Sequence, residues 1–301
     1  MIALSIATAH HGSLSWSTSG FHGGPFVLAI AITATFQLTY APYVSDYSRY
    51  LPADTSVAST FWATFLGTSL SAIWSEIIGV VLVFQFAEQG TLSQLGAGGG
   101  AIAALVLLVG ALAISGNNSM NLYGGMLNLI TAVSSVREVR PGVRARLTLL
   151  LPTFLIGGVV ALLASSNFIV NVTDFLVLLQ VGFVPWGAVN LTDFYLVKHG
   201  RYDVAAFFQK RGRYYEDPTT GTHRGFAVNA LVAYVVGMLV MLPFINSTWL
   251  MGTFVDDLGG ADISFIVGLV VSAGLYYLQM LRHPAVTDER VAPAVAEAAS
   301  S

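Results

Sequence analysis

Long apolar stretches separated by short polar segments are the main pattern along this chain. A membrane-spanning helix needs about 20 mainly apolar residues, and seven stretches come close to or exceed that length. They run roughly over residues 25–45, 60–86, 101–133, 147–165, 168–197, 226–246 and 262–281. The pattern predicts an all-α polytopic membrane protein with about seven transmembrane helices over residues 25–283. It also indicates that the Gly-rich segment 92–100 is a connector.

Composition narrows the class of protein further. Of the 301 residues, 55% are hydrophobic and 10% are charged, whereas a soluble domain has about 25% charged residues. The absence of cysteine excludes disulfides, thiolate chemistry and cysteine metal ligands. The chain contains no zinc-peptidase, serine-hydrolase or P-loop motif and no basic amphipathic surface for nucleic acid. We therefore expect neither an enzyme nor a nucleic-acid-binding protein.

The positive charges predict an orientation. All 13 Lys and Arg residues lie in the segments that follow the first, third, fifth and seventh predicted spans. Cytoplasmic loops carry the excess of Lys and Arg in membrane proteins. We therefore expect a multi-pass protein of the plasma or inner membrane, with its start outside and its end in the cytoplasm. Residues 1–24 would be extracytoplasmic, and the polar, Ala-rich residues 284–301 a disordered cytoplasmic tail.

The predicted external start has no export signal of its own. Residues 1–24 have no basic n-region, and their apolar stretch 2–9 is short. We therefore expect that upstream helices precede this segment and that it includes the end of a truncated helix. The chain would then be the C-terminal part of a larger protein.

Pro42 interrupts the first predicted span. Proline removes a backbone donor and clashes with the preceding turn, so a helix here should break or kink. Broken backbone at membrane depth must face protein, ligand, ion or water, and transporters use such broken helices to hold substrate and ion. A Pro-kinked packing helix is an equally open interpretation.

The third predicted span carries polar side chains on one face. Asn117, Asn121, Gly124 and Asn128 recur at i, i+4, i+7 and i+11. Because an amide in hydrocarbon needs partners, this face either packs on another polar helix or lines a site. We favour a site, since an Asn amide has two donors and two lone pairs, which suits the edge of a planar heterocycle.

Acidic residues occur near the ends of the spans. Asp46 and Asp193 lie near predicted cytoplasmic ends, where each could cap a helix or pair with Arg49 or Lys198. Asp174 lies close to the predicted outer boundary, where a gate and a surface position are both open. An intramembrane hydrolase that uses Asp46 and Asp193 is a weaker alternative, because neither residue belongs to a catalytic motif.

Three segments together resemble a known family. They are APYVSDYSRYLP (41–52), SGNNSMN (115–121) and VPWGAVNLTDFYLVKHGRYD (184–203). They resemble the nucleobase:cation symporter-1 family, which comprises permeases for cytosine, purines, uracil, allantoin and hydantoins. The resemblance covers nearly the whole chain and keeps the order and spacing of the helices.

The resemblance implies a LeuT-like fold, in which the first ten of twelve helices form two inverted five-helix repeats. The seven spans resemble helices 6–12 of that fold. The second repeat would occupy roughly residues 25–197, and the first repeat, with its half of the sites, would be missing.

The resemblance also implies site residues. Gln37 aligns with the aromatic residue that stacks on the substrate, which implies hydrogen bonding by Gln37 or stacking by Phe36. Asn121 aligns with the amide presented to the substrate, and Asn117 lies one turn earlier on the same face. Ser115 matches a sodium-ligating hydroxyl, whereas the next position, Gly116, has none.

The implied function is a secondary transporter of nucleobases or related heterocycles by cation symport. The coupling ion would be sodium or a proton, with no other metal or cofactor. The expected partners are a heterocyclic substrate, the lipid bilayer and a missing N-terminal half. The alternative is a non-transporting remnant, or a half-transporter that needs a separate N-terminal half.

Overall fold

The structure, a computed structural model, describes residues 20–48, 50–52, 54–86, 91–136, 142–164, 168–203, 206, 214–215 and 221–282. Helices account for most of these residues, so the predicted all-α membrane class is confirmed. The helices are α1 Gly23–Ser48, α2 Val57–Gln85, α3 Thr91–Gly99, α4 Ala103–Val136, α5 Val143–Ala164, α6 Phe168–Leu191, α7 Val228–Met241 and α8 Ser264–Leu281.

Short elements connect or extend these helices. A 3-10 turn, Gly100–Ile102, joins α3 to α4, and a second, Leu242–Phe244, extends α7. A π-helical turn, Thr192–Val197, continues α6. Strands β1 (Thr222–His223) and β2 (Phe226–Ala227) form an antiparallel pair before α7, with Thr222 opposite Ala227.

Six helices in the described part of the chain are long and apolar enough to cross a membrane. Their apolar parts are Gly23–Val44, Val57–Gln85, Gly100–Val133, Arg146–Leu163, Val170–Val197 and Ser264–Leu281. The sixth predicted span is shorter than expected, because the strand pair takes up its first residues and helix covers only Val228–Phe244. Its 14 α-helical and three 3-10 residues extend about 27 Å, slightly less than the ~30 Å hydrocarbon core.

The structure refines two local predictions. The predicted connector 92–100 is mostly helical, because Leu95 of α3 packs against Ile78 and Leu82 and this packing offsets the cost of the glycines. Helix α1 continues through Pro42 without a break, so the broken-helix interpretation is wrong and the interpretation as a Pro-containing packing helix remains. Proline removes only one of the many hydrogen bonds in this 26-residue helix, and the remaining bonds keep the helix continuous.

The chain divides into two compact units, which we call the first unit and the second unit. The first unit is Met1–Ser17 with Phe65–Phe168. In its described part α4 packs against α3 and α5, and a small cluster around Ile78 and Leu82 forms its core. Most described side chains of α4 and α5 are exposed, and Met126 is one of the few buried residues of α4.

The second unit is Thr18–Thr64 with Ile169–Ser301. One buried cluster in its described part contains Val177, Val181, Val184, Met241 and Ile245, and α7 packs closely along α8. The close approach depends on glycine: a Cβ at Gly237 would lie 1.8 Å from the Oγ of Ser272, and a Cβ at Gly268 2.3 Å from the Sδ of Met241. Half of the residues in the most apolar part of α6 are buried. Helix α6 is therefore the central helix of this unit's core.

Candidate functional site

Helix α1 has a buried face and an open face. Leu28, Ile32 and Leu38 recur at helical spacing and pack against the core of the second unit, and Thr35 on the same face is 1% exposed. Phe36 lies at the edge of this face and is 55% exposed, and Gln37 lies on the opposite side and is partly exposed. The two residues predicted to contact substrate therefore lie off the face that holds α1 in its unit.

The predicted amide face lies on α4 of the first unit. Asn117 and Asn121 are exposed, and neither amide has a hydrogen-bond partner among the residues that the structure describes. Ser115 donates to the carbonyl oxygen of Ala111 at 2.8 Å, so its hydroxyl turns back to its own helix. A Cβ at Gly116 would meet nothing within 4 Å, which leaves open space beside the predicted cation position.

The predicted substrate residues therefore come from both units. Phe36 and Gln37 belong to the second unit, whereas Asn117, Asn121 and the predicted cation position at Ser115 and Gly116 belong to the first. Within the first unit, spacing on α4 brings the two amides and Ser115 to neighbouring positions of one helix. Exposed amides without intramolecular partners can form hydrogen bonds with a bound molecule.

Asp174 does not occupy a surface position. Its side chain is 2% exposed, and one oxygen accepts hydrogen bonds from the Ser247 Oγ and the Thr248 backbone N–H, both at 2.8 Å. The Thr248 hydroxyl donates to the other oxygen. The carboxylate therefore tethers α6 to the segment after α7, and this bonding is a structural role that the sequence did not indicate.

Asp193 has tyrosine partners instead of the predicted ionic ones. Its carboxylate accepts hydrogen bonds from the Tyr202 hydroxyl at 2.6 Å and the Tyr276 hydroxyl at 2.7 Å. Lys198 contributes only its backbone N–H, which donates to the Asp193 carbonyl at 2.7 Å and closes the π-helical turn. Within the described residues Asp193 forms no ion pair with Lys198, and its role as an anchor stays a prediction. The Asp46 side chain and the whole of Arg49 lie outside the described residues, so their anchor role stays a prediction.

The tyrosine cluster changes the acidity of Tyr202, which lies after the membrane-spanning part of α6. Burial raises the pKa of its hydroxyl well above the usual range, and the hydrogen bond to Asp193 and that residue's negative charge raise it further. Tyr202 therefore stays a neutral donor at any physiological pH, which suits a permanent link rather than a titrating site.

A buried polar network in the second unit was missed by sequence reasoning. It joins Thr35 of α1, Gln180 of α6 and Asp262 and Ser264 at the start of α8, all of them 1% exposed or less. The Thr35 hydroxyl lies 2.9 Å from the Gln180 Oε1, and the Gln180 Nε2 donates to the Ser264 Oγ at 2.7 Å. A lone glutamine in the apolar run LVLLQVGFV was the available signal for this network.

The described residues contain no group of three or more His, Cys, Asp or Glu side chains that could hold a metal ion. At the predicted substrate positions the open side chains are the Asn117 and Asn121 amides and the Phe36 ring. Such groups bind a neutral or polar small molecule by hydrogen bonding and stacking.

Comparisons with known proteins agree with this chemistry. The chain is similar to the putative purine-cytosine permease YxlA of Bacillus subtilis (strain 168), with 35% identity over 271 residues, 88% of this chain and 57% of that protein. It is also similar to the purine-cytosine permease fcyB of Emericella nidulans, with 23% identity over 293 residues, 91% of this chain and 52% of that protein. No solved structure matches significantly.

The chain thus spans a little over half the length of these two relatives. Residues 2–268 match the sequence pattern of the family described as permease for cytosine/purines, uracil, thiamine, allantoin. The match covers most of the chain and confirms the resemblance seen in its motifs: this multi-pass membrane protein belongs to the cytosine/purine permease family.

Proposed function

We propose that this chain acts in the secondary transport of nucleobases or related heterocycles across the cell membrane. The observation that carries the proposal is the family match over residues 2–268 together with two relatives named as purine-cytosine permeases. The proposed activity is transport across a bilayer rather than catalysis. The substrate class includes cytosine, purines, uracil and allantoin.

The proposed substrate contacts are Asn117 and Asn121 on α4 and Phe36 and Gln37 on α1. The open amides support this assignment, because a partnerless amide in a membrane helix is costly unless a ligand or another polar surface covers it. The Phe36 ring is exposed, and an exposed aromatic ring can stack on a planar heterocycle. Hydrogen-bonding groups at the substrate edge would then discriminate between bases.

The proposed coupling ion is sodium or a proton. Ser115 and the open space at Gly116 support a cation position on α4, and the missing hydroxyl at Gly116 favours a proton over sodium. Asp46, Arg49, Asp174 and Asp193 are the proposed gating or anchoring residues. The proposed orientation has the start of this chain outside and its end in the cytoplasm, as the distribution of Lys and Arg favours.

A second candidate function is that of a half-transporter, which needs a separate N-terminal half. It is supported by the length of the relatives, of which this chain matches 57% and 52%. In that case the chain alone would be inactive, and co-expression with the remaining half of a relative would restore uptake. A chain inactive under both conditions would be a non-transporting remnant.

The testing experiment measures uptake of radiolabelled cytosine, adenine and allantoin in cells that lack their own permeases. The chain is expressed alone and together with the unmatched half of the B. subtilis relative. We expect Asn121→Ala to lower uptake about tenfold, because the substrate loses one or two hydrogen bonds in a desolvated site.

The matched control is Asn190→Ala, since the Asn190 amide already donates to the Trp186 carbonyl of its own helix at 2.8 Å. This control should leave uptake nearly unchanged. Full uptake in Asn121→Ala would contradict the substrate contact, and absence of uptake in every combination would contradict the transport function itself.

A further inference from the structure

We propose that the strand pair before α7 forms, together with Lys198 and Arg282, a binding site for the phosphate group of an anionic phospholipid. Arg224 at the tip of the strand pair is the main phosphate ligand of this site, and the Phe226 ring beside it contacts the acyl chains. The proposal does not depend on the proposed transport function, because it concerns the lipid around the second unit and no transported substrate.

Arg224 is held in a backbone conformation that arginine rarely adopts. The closing pair of the two strands is His223 and Phe226, so Arg224 and Gly225 form a two-residue loop. Their φ angles are 47° and 84°, and two positive φ angles are typical of a type I′ turn, in which Asn, Asp or Gly is preferred at the first position. An arginine in the left-handed region is strained, and such strain is concentrated at positions where a side chain has a function.

The strand pair has a fixed position on the second unit. The Val228 backbone N–H donates to the Gly221 carbonyl oxygen at 3.1 Å. The Gly225 N–H donates to the Tyr215 carbonyl oxygen at 2.7 Å. A Cβ at Gly221 would lie 2.4 Å from the Asn229 Nδ2, so the base of the strand pair lies directly against the first turn of α7. The tip is therefore held close to the start of this helix.

The end of α6, the start of α7 and the end of α8 meet at one level of the second unit. Val197 packs against the buried cluster that contains Met280, and the Asn229 Nδ2 lies 3.9 Å from the Met280 Sδ. Lys198 follows Val197 directly, and Arg282 lies two positions after Met280. Three elements therefore bring a cation each to this level: the end of α6, the strand pair and the end of α8.

These cations have no acidic partner in the part of the chain that the structure describes. Lys198, Arg224 and Arg282 form no ion pair there. Asp193 accepts hydrogen bonds from two tyrosine hydroxyls, and Asp203 accepts one from a backbone N–H of its own turn. The loop between α6 and α7 carries six Lys and Arg residues against three Asp and Glu residues. An excess of positive charge is therefore left for an anion from outside the chain.

The length of α7 places this group of cations at a membrane boundary. With its 3-10 turn the helix extends about 27 Å, less than the ~30 Å hydrocarbon core, and a short span draws its flanking residues towards the bilayer. Phe226 lies two positions before α7 and is 66% exposed, so its ring reaches the edge of the hydrocarbon. The aliphatic stem of Arg224 lets its guanidinium group reach the headgroups.

The combination of cations and an exposed ring fits a phospholipid. A guanidinium group binds a phosphate through two parallel hydrogen bonds, and the second Arg and the Lys supply further positive charge. A free phosphate ion would satisfy the cations but would leave the Phe226 ring uncovered, whereas acyl chains cover it. The site favours an anionic lipid over phosphatidylcholine, because the choline ammonium group offsets the phosphate charge of the latter.

The testing experiment measures lipid binding by the purified chain in detergent. Native mass spectrometry gives the fraction of protein that retains added phosphatidylglycerol or phosphatidylcholine with identical acyl chains. We expect phosphatidylglycerol to bind at least about fivefold more tightly, because each Lys or Arg near a membrane surface contributes about that factor. Equal affinity for the two lipids would overturn the proposal.

Arg224→Asn removes the charge and also relieves the backbone strain, because Asn is preferred at this position of the turn. The variant should fold, bind phosphatidylglycerol about fivefold more weakly and bind phosphatidylcholine as before. Arg146→Gln is the matched control, since it removes an exposed cation of α5 in the first unit, and it should keep the lipid preference. An unchanged preference in Arg224→Asn, or an equal loss in the control, would overturn the site.

Two further measurements separate a lipid from a soluble phosphate. Phe226→Ala should weaken the binding of both lipids about threefold, because the lost contact is with acyl chains that the two lipids share. Inorganic phosphate at millimolar concentration should leave phosphatidylglycerol bound to the wild type. Displacement of the lipid by inorganic phosphate, or full binding of both lipids to Phe226→Ala, would overturn a phospholipid as the ligand.

Discussion

The two units use polar side chains inside apolar helices in opposite ways. In the second unit Thr35, Gln180, Asp262 and Ser264 bond one another and are shielded from the surroundings. In the first unit the α4 amides are exposed and lack partners within the described residues. The glycines differ in the same sense: Gly237 of α7 and Gly268 of α8 are close-packed, whereas Gly110, Gly116, Gly157 and Gly158 face open space.

The difference indicates that polar side chains have different roles in the two units. Polar groups that satisfy each other hold a helix arrangement together, and their loss costs stability. Polar groups without internal partners contribute nothing to the unit that carries them and are free to bind something else. We therefore expect substitutions in the second unit to lower stability and those on α4 to affect function alone.

The largest expected effect is that of Gly237→Ala. The new Cβ would lie 1.8 Å from the Ser272 Oγ and 3.0 Å from the Pro185 Cβ, so the Ser272 side chain must change rotamer and α7 must shift away from Pro185, at a cost of about 3 kcal/mol. Thermal unfolding of the purified protein in detergent measures this loss of stability. Gly157→Ala on α5 is the matched control and should be neutral or stabilising by up to about 1 kcal/mol. Equal losses in both variants would remove the contrast between the units.

Asp174→Ala should have the next largest effect, a loss of about 2 kcal/mol, because three donors from Ser247 and Thr248 lose their acceptor. The freed segment should also become sensitive to protease between Ile245 and Gly252. Asp256→Ala, an exposed acid of the neighbouring segment, is the control. If the two variants behave alike, the Asp174 tether does not stabilise the second unit.

Tyr276→Phe should cost about 1 kcal/mol, since Asp193 loses one of its two hydroxyl donors and keeps the bond from Tyr202. The neighbouring Tyr277 is exposed, so Tyr277→Phe gives a matched measure of removing a hydroxyl from the same helix. Thermal unfolding of both variants at neutral pH decides the point. A loss in Tyr277→Phe as large as in Tyr276→Phe would contradict the role of the Asp193 bond.

The smallest effect concerns alkaline pH. Burial and then Asp193 raise the pKa of Tyr202 above its ordinary value of 10.0, so the folded protein keeps a proton that the unfolded chain loses. The Tyr202 contribution is complete below 10.0 and is lost as the pH rises above it towards the folded pKa. Melting temperatures measured from neutral to alkaline pH should therefore decline more steeply in the wild type than in Tyr202→Phe. Tyr195→Phe, at an exposed tyrosine, should retain the steep decline.

Helices and family could be predicted from the sequence, because both depend on local signals. Apolar runs predict membrane helices directly, and the three motif segments identified the permease family that residues 2–268 match. Helix α3 was missed because its glycines outweigh Leu95 in the sequence, and its packing on Ile78 appears only in the structure.

The partners of the acids could not be predicted, because they are distant in the chain. Asp193 bonds Tyr276, 83 positions later, and Gln180 bonds Asp262, 82 positions later. Periodicity places a residue on a helix face but does not select the helix that faces it. A charged neighbour such as Lys198 is the obvious partner for Asp193 in the sequence, yet two tyrosines complete its bonding in the structure.

Helix α6 is held near its start by Asp174, in the middle by Gln180 and just beyond its end by Asp193. A helix attached at three levels cannot slide or tilt by a small amount without breaking at least one attachment. Its displacement is therefore all-or-none, with a threshold set by the weakest attachment. A ligand that binds the displaced position only slightly better than the original one leaves α6 where it is.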